Sequence, residues 1–262
     1  MKIEFLGTGA ADWHIDRRDK EPDFRRNSSV LVDGTILIDP GPHIYDYLTC
    51  ENKPDLFQNV KYVLVTHSHP DHYCVPTLLH LYEETKCELY ATPHVNFRVW
   101  NDKDVCGRLE QIRHHRVEPL TALEIGDYRV LPLSANHSSG NPYGESCIHY
   151  LIEKDGRSLF YGLDGGWLSC EEWNEIRKRR INCFVFDATV GYIKDDWRIG
   201  EHSNLYMVEM LRDTILKNCA AADTTFYVSH LARTLHRSRK ETEALLLPKQ
   251  MIPAYDGMIV EV

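Results

Sequence analysis

The chain is organised around Val63-Leu-Val-Thr-His67-Ser-His69-Pro-Asp71-His72. Val63 to Thr66 is apolar or β-branched with no helical period, which predicts a buried strand. Ser68 and Pro70 end that pattern, so three histidines and an aspartate fall on the loop leaving the strand's C-terminal end. In an extended His-x-His both imidazoles leave the same side of the chain, because side chains alternate. A turn at Pro70 swings Asp71 and His72 back towards the same point. Imidazole nitrogen and carboxylate oxygen are ligands that zinc and other borderline ions accept. A lone loop histidine is ordinarily a hydrogen-bonding residue. Three of them with an aspartate in six positions predict a metal site.

The 262 residues are enough for one large core or two modest ones. Hydrophobic residues make up 43% and charged residues 26%, an ordinary globular balance. The formal net charge of -9 argues against a general nucleic-acid surface, so large nucleic acid is not an expected partner. Glu4 interrupts the only apolar run at the N-terminus, which is not the pattern of a signal peptide. No run reaches the roughly 18 apolar residues of a membrane span. Of the eight cysteines, the closest pairs, Cys74–Cys87 and Cys170–Cys183, are thirteen residues apart. That spacing excludes a C-x-x-C clip and a dense disulfide framework, so reduced thiols and a cytoplasmic location are expected.

Strands and helices alternate along the whole chain without linker or repeat, which predicts one α/β domain over residues 1–262. Ser29–Asp39 reads as a hairpin around Asp33-Gly34, and a second hairpin, Cys147–Glu153 with Ser158–Asp164, surrounds Asp155-Gly156. Further strands are expected over Lys2–Leu6, Glu88–Thr92, 117–125, 127–134, Asn182–Ala188, Thr225–His230 and Met258–Val262. Helices are expected over Val75–Lys86, near 95–113 with His114-His115 on a solvated helical surface, and over Ser169–Arg180, Leu205–Asn218 and Arg239–Leu247. Residues 12–26 hold five acidic and five basic side chains and read as a solvated loop.

Remote ligands should stand where apolar strands end. Three places fit: Val130-Leu-Pro-Leu-Ser-Ala-Asn-His137, Leu159-Phe-Tyr-Gly-Leu-Asp164-Gly-Gly, and Phe226-Tyr-Val-Ser-His230. Singly, each is more often a hydrogen-bonded strand end. With the opening loop they supply five histidines and two aspartates, enough for two ions about 3.5–4 Å apart sharing a carboxylate.

His67-x-His69-x-Asp71-His72 followed by His137, Asp164 and His230 resembles the metal-binding signature of the metallo-β-lactamase superfamily. The likeness extends to Leu6-Gly-Thr-Gly, to Leu37-Ile-Asp39-Pro-Gly and to Tyr255-Asp-Gly-Met, and so covers nearly the whole chain. It implies a four-layer αββα sandwich in the α/β (α+β) class and two divalent ions, zinc or manganese. By this resemblance His67, His69 and His137 bind one ion, Asp71, His72 and His230 the other, and Asp164 bridges them. Asp39 is expected to hold a ligand histidine by its other N–H.

Two further segments narrow the chemistry. Gly200-Glu-His202-Ser-Asn204 resembles the His-Ser-Thr-like element that phosphodiesterase members place beside their metals, which makes His202 a candidate catalytic residue; Asp71 of the metal loop is the other. The plain alternative is a helix N-cap at Ser203 or Asn204. Arg25-Arg26-Asn27-Ser28-Ser29 resembles the arginine-rich approach to the first hairpin in phosphoribosyl cyclic phosphodiesterase, although that enzyme's cysteine-rich zinc loop is missing here. Arg25, Arg26, Ser28 and Asn204 are therefore expected to bind substrate, with Arg233 added for its closeness to His230. The expected activity is hydrolysis of a small phosphodiester, cyclic ones included, by hydroxide held between the ions with His202 as general acid. A lactonase or carboxylic-ester hydrolase on the same site is the alternative. A tRNA 3′-processing nuclease lacks support in the short His137–Asp164 segment, and a mononuclear-iron sulfur dioxygenase needs fewer ligands than are present. A homodimer is compatible with the sequence.

Overall fold

In the computed structural model, which describes residues 1–262, the first hairpin forms as its turn chemistry dictates. Asp33 and Gly34 take φ of 49° and 68°, the left-handed pair that lets Thr35 N donate back to Val32 O at 2.9 Å. With Thr35 they join β2 (Ser29–Val32) to β3 (Ile36–Ile38) by three residues where two were expected. From β3 the sheet continues in parallel through β4 (Tyr62–Leu64), β5 (Glu88–Ala91) and β6 (His114–Arg116). On its other side β1 (Lys2–Gly7) pairs antiparallel with β2 and with β14 (Ile259–Glu261). A second seven-stranded sheet holds β7 (Leu123–Ile125), β8 (Tyr128–Ser134), β9 (Ile148–Lys154), β10 (Arg157–Gly162), β11 (Ile181–Asp187), β12 (Ala220–Ser229) and β13 (Ile252–Pro253). It is antiparallel from β7 to β10 and parallel from β10 to β13.

Three buried apolar clusters define the layers. One, including Phe5, Val32, Tyr150 and Tyr161, lies between the sheets. A second lies under α1 (Ile44–Cys50), α2 (Val75–Thr85) and α3 (Lys103–Leu109), and includes Tyr47, Leu78, Leu81 and Leu109. A third lies under α4 (Cys170–Ile176), α5 (Leu205–Asn218) and α6 (Arg239–Leu246), and includes Ile176, Val208, Ile215 and Leu246. The central strands of both sheets are thus covered on both faces, which is why β3, β4 and β11 are buried almost throughout rather than at alternate positions. The result is the αββα sandwich. Between the sheets the Tyr150 hydroxyl donates to Val65 O at 2.8 Å and Ile148 N donates to Thr66 O at 2.9 Å. These bonds bring the loop after β4 against the second sheet.

Several expectations need correction. The helix near 95–113 is a 3₁₀ turn at Phe97–Val99 and the short α3. His114-His115 belongs to the edge strand β6, where the His115 ring stacks on Tyr90 at 4.2 Å between centroids and its Nε2 lies 2.6 Å from Glu88. The strand expected from 117 starts only at Leu123, because Pro119 lacks a ladder donor and Leu120 takes φ 62°. The 12–26 loop is not simply solvated, since Trp13, Arg25 and Arg26 are buried and Trp13 Nε1 donates to Leu231 O at 2.8 Å. Helix α1 was not expected, although Ile44, Tyr47 and Leu48 stand at helical spacing. All eight cysteines are free thiols. No helix is long and apolar enough to cross a membrane.

Candidate metal centre

The loop after β4 supplies His67, His69, Asp71 and His72. His137 follows β8, Asp164 follows β10, and His230 follows β12. Their ligand-capable atoms form two groups, His67–His69–His137–Asp164 and Asp71–His72–Asp164–His230, each lying within 4.8 Å. Asp164 belongs to both. Two details of backbone hold this arrangement. Asp39, Asp164 and His230 all take left-handed φ, 59°, 55° and 58°, which costs a side-chain-bearing residue roughly 1–2 kcal/mol. Gly41, in the Asp39-Pro-Gly segment, passes so close that a Cβ there would stand 2.3 Å from Asp71 O. The turn into the loop therefore admits no side chain at Gly41.

Hydrogen bonds behind the ligands fix which ring nitrogen is free. His72 Nδ1 donates to Asp39 at 2.8 Å, and Asp39 also accepts from Thr66 N and Oγ1. Because the Thr66 hydroxyl donates to Asp39, it accepts from His67 Nδ1 at 3.0 Å. His137 Nδ1 donates to Glu201 O at 3.1 Å, and His230 Nδ1 to Thr189 Oγ1 at 2.7 Å. In all four rings Nε2 is left for an ion, the orientation that outer partners impose on metal histidines.

The converging atoms have no other use. His72 Nε2 and His230 Nε2 stand 3.2 Å apart, as do His137 Nε2 and His69 Nδ1 at 3.3 Å. His67 Nε2 is buried without a hydrogen-bond partner, and Asp164 Oδ1 is buried with only the converging His230 and His72 nitrogens beside it, at 2.9 and 3.3 Å. Such orphaned groups are costly in a protein interior, and a cation between them would satisfy them. Burial keeps His67, His69 and His137 below the ordinary histidine pKa, hence neutral. Burial works against charge on Asp71 and Asp164 too, but the facing histidines hold both well below the carboxylate range. Burial likewise opposes the imidazolium of His230, yet Asp164 outweighs it and lifts the group to about 10. In the protein alone a proton gathers where positive charge is wanted. Neutral imidazoles with ionised carboxylates are the donor set a divalent ion takes, and the residues fit two such ions.

A third group, Asp164–Asp187–His202–His230, adjoins these. His202 Nδ1 donates to Asp187 Oδ2 at 2.8 Å. Its ring lies parallel to His230, 5.5 Å between centroids, and 5.0 Å from His137. Burial disfavours the imidazolium, but Asp187 prevails and raises the His202 pKa above its usual value. Asp187 is the residue that sequence reading missed. It ends an apolar strand, the same signal that singled out Asp164.

The residues expected on substrate through the arginine segment do not meet the ligands. Arg25 is buried and donates to Thr8 Oγ1 and Ala254 O, both at 2.6 Å. Arg26 donates to Asp46 at 2.8 Å and Asp256 at 3.4 Å. The Ser28 hydroxyl donates to Gly9 O. Asn204 caps α5, accepting from Met207 N and donating to Ile193 O, so the plain reading of that residue holds. Arg233 binds Asp12 through N and Nε, and the cleft it shares with Arg25 is lined by no ligand residue. These donors are committed to holding loops together.

The family model described as the Beta-lactamase superfamily domain matches residues 34–228. The chain belongs to the metallo-β-lactamase superfamily. Solved structures of this fold superpose over its whole length. The zinc-bound PqqB from Methylobacterium extorquens does so with a TM-score of 0.75 at 18% identity, covering 100% of both chains. A diphosphatase from the PhnP family gives 0.71 at 21% identity, over 100% of this chain and 96% of that one. Human tRNase Z, short form, gives 0.69 at 16%, over 100% and 99%. At such identities the likeness is one of fold. No curated protein matches the chain in sequence. The protein is a metallo-β-lactamase-fold hydrolase whose His/Asp clusters are suited to holding metal.

Proposed function

We propose that the protein is a phosphodiesterase that uses two divalent ions, zinc or manganese, to hydrolyse a small phosphodiester. The observation that carries this reading is the Asp187–His202 pair beside the ligand cluster. With Nδ1 committed to Asp187, His202 can present only Nε2 to a bound substrate. An alkoxide leaving group needs a proton, and histidine is the side chain able to give one near neutral pH. His67, His69, His137 and Asp164 would hold one ion, and Asp71, His72, His230 and Asp164 the other. When bound, the ions supply Lewis acidity towards phosphoryl oxygens and make water nucleophilic at neutral pH. Within the protein, Asp39 and Thr189 orient the ligand rings, and Asp187 orients His202 and stabilises its charged form. The segment from His137 to Asp164 contains only a short loop and the β9–β10 hairpin. Together with the net charge of -9, that supports a small substrate over a large RNA.

The test is turnover by the metal-loaded protein of bis(p-nitrophenyl) phosphate, a nucleoside 2′,3′-cyclic phosphate and a lactone in parallel. Phosphodiesters should be preferred; a dominant lactonase activity would overturn the reading. His202→Ala should lower kcat about 100-fold with metal content unchanged, and unaltered turnover would remove the acid role. Asp187→Asn acts through His202. The donor is protonated below its raised pKa and lost as pH rises through it, so without Asp187 the alkaline fall in kcat should move to lower pH. A purely structural role for Asp187 would leave the profile in place.

A further inference from the structure

His43 is nine-tenths buried, and one of its ring nitrogens is committed. Nδ1 lies 3.3 Å from the backbone N of Asn27. A backbone amide can only donate, so Nδ1 carries the lone pair and the ring proton sits on Nε2. That N–H meets no acceptor in the protein. The ring lines a cleft of about 570 Å³ that opens on the ligand Asp71, on the side formed by Ala11, residues 13–16 and Pro70. A donor held in a fixed tautomer on the wall of a cleft at the metal centre is placed to read a ligand.

The walls say what kind of ligand. Trp13, Ile15, Pro42 and Pro70 give apolar surface, His14 and His43 give imidazoles, and the only charged residues are Asp16 and Asp71. No lysine or arginine lines the cleft. An anionic arm, such as a second phosphate or a carboxylate, would lie beside Asp16 with no lysine or arginine to meet it, and burying charge without a side-chain partner is unfavourable. The arginine-lined cleft, where an anion would find partners, contains no ligand residue. The volume is that of an ordinary small-molecule site, about 300–1,000 Å³.

We propose that this cleft holds an uncharged, oxygen-bearing organic arm of the phosphodiester, of nucleoside size, and that His43 Nε2–H donates a hydrogen bond to an oxygen of that arm. This rests on the phosphodiesterase reading and specifies its substrate class: a phosphodiester with one neutral arm carrying hydroxyl or carbonyl groups, in preference to a diphosphate. His43 is then a specificity residue, apart from the chemistry that Asp187 and His202 serve.

Asparagine and glutamine separate the two nitrogens of the ring. Asn Oδ1 stands where Nδ1 stood and can still accept from Asn27 N, but nothing replaces Nε2–H. Gln extends an amide N–H to the Nε2 position. The experiment is calorimetric binding of thymidine 5′-monophosphate, methyl phosphate and 2-phosphoglycolate to the zinc-loaded wild type, His43→Asn and His43→Gln. Thymidine monophosphate should bind the wild type more tightly than methyl phosphate, and phosphoglycolate should gain nothing from its anionic arm. His43→Asn should weaken thymidine monophosphate about five- to tenfold, the worth of one hydrogen bond, leave methyl phosphate within about twofold, and be partly reversed in His43→Gln. Tighter binding of phosphoglycolate than of thymidine monophosphate would overturn the proposal. So would equal binding of thymidine monophosphate and methyl phosphate, or an equal loss for both in His43→Asn. Binding is read without turnover, so failure to hydrolyse phosphodiesters would defeat the functional reading while leaving this cleft assignment standing or falling by itself.

Discussion

Asp164→Asn is expected to lower phosphodiester turnover by more than about 100-fold and to leave the protein with at most one tightly held ion. Removing a mere supporting partner of a metal ligand commonly costs 10–100-fold, and Asp164 is more than a supporting partner. Its Oδ2 lies 3.4 Å from His67 Nε2 and 3.5 Å from His137 Nε2. Its Oδ1 lies 2.9 Å from His230 Nε2 and 3.3 Å from His72 Nε2. One carboxylate thus faces both ligand-capable groups, an oxygen towards each. Asparagine keeps the shape and tolerates φ 55°, so the fold should survive. It removes the negative charge and turns an NH₂ towards one pair of imidazoles. Metal analysis by mass spectrometry beside steady-state kinetics checks both halves. Turnover within about tenfold of wild type, with two ions retained, would remove the bridging role.

Stripping the ions should lower the melting temperature by roughly 10 °C. His67, His69, Asp71 and His72 stand on the first sheet, whereas His137, Asp164 and His230 stand on the second, so each ion would tie the two sheets together. A ligand present at a thousand times its dissociation constant stabilises the native state by about 4 kcal/mol. For a chain of this size each kcal/mol is worth about 2–4 °C. When the ions leave, the buried carboxylates Asp71 and Asp164 have only the facing histidines to balance them, which acts in the same direction. Differential scanning calorimetry with and without chelator measures the shift, and reloading with zinc should restore it. An unchanged melting temperature would mean that these residues hold no resident ion.

How legible the site was depended on how densely its residues are written. Three histidines and an aspartate within His67–His72 are hard to read otherwise, and His137, Asp164 and His230 each end an apolar run. Asp187 ends one as well, but Ile181–Asp187 is buried at every position, so nothing local sets that aspartate apart from the core around it. Only the approach of His202, fifteen residues further on, gives that aspartate a purpose. The arginines misled for the opposite reason. Arg25-Arg26 matches a phosphate's needs in chemistry, and nothing local in the sequence shows that Thr8, Asp46, Ala254 and Asp256 reach those guanidiniums first. His114–Arg116 could not be read as a strand because an edge strand buried on neither face carries no apolar alternation. Its place comes from pairing with β5, a contact made at a distance in sequence.

The left-handed backbone at Asp39, Asp164 and His230 sets stability against retention of the site. Glycine would relax the main chain at all three positions, and only the present side chains can orient or bind an ion. As long as selection acts on turnover, the strained residues persist. Once it acts on the fold alone, nothing opposes their loss, and glycine or asparagine should appear at these positions before the surrounding core changes. The same three positions would therefore separate a working catalyst from a retired one among proteins of this shape.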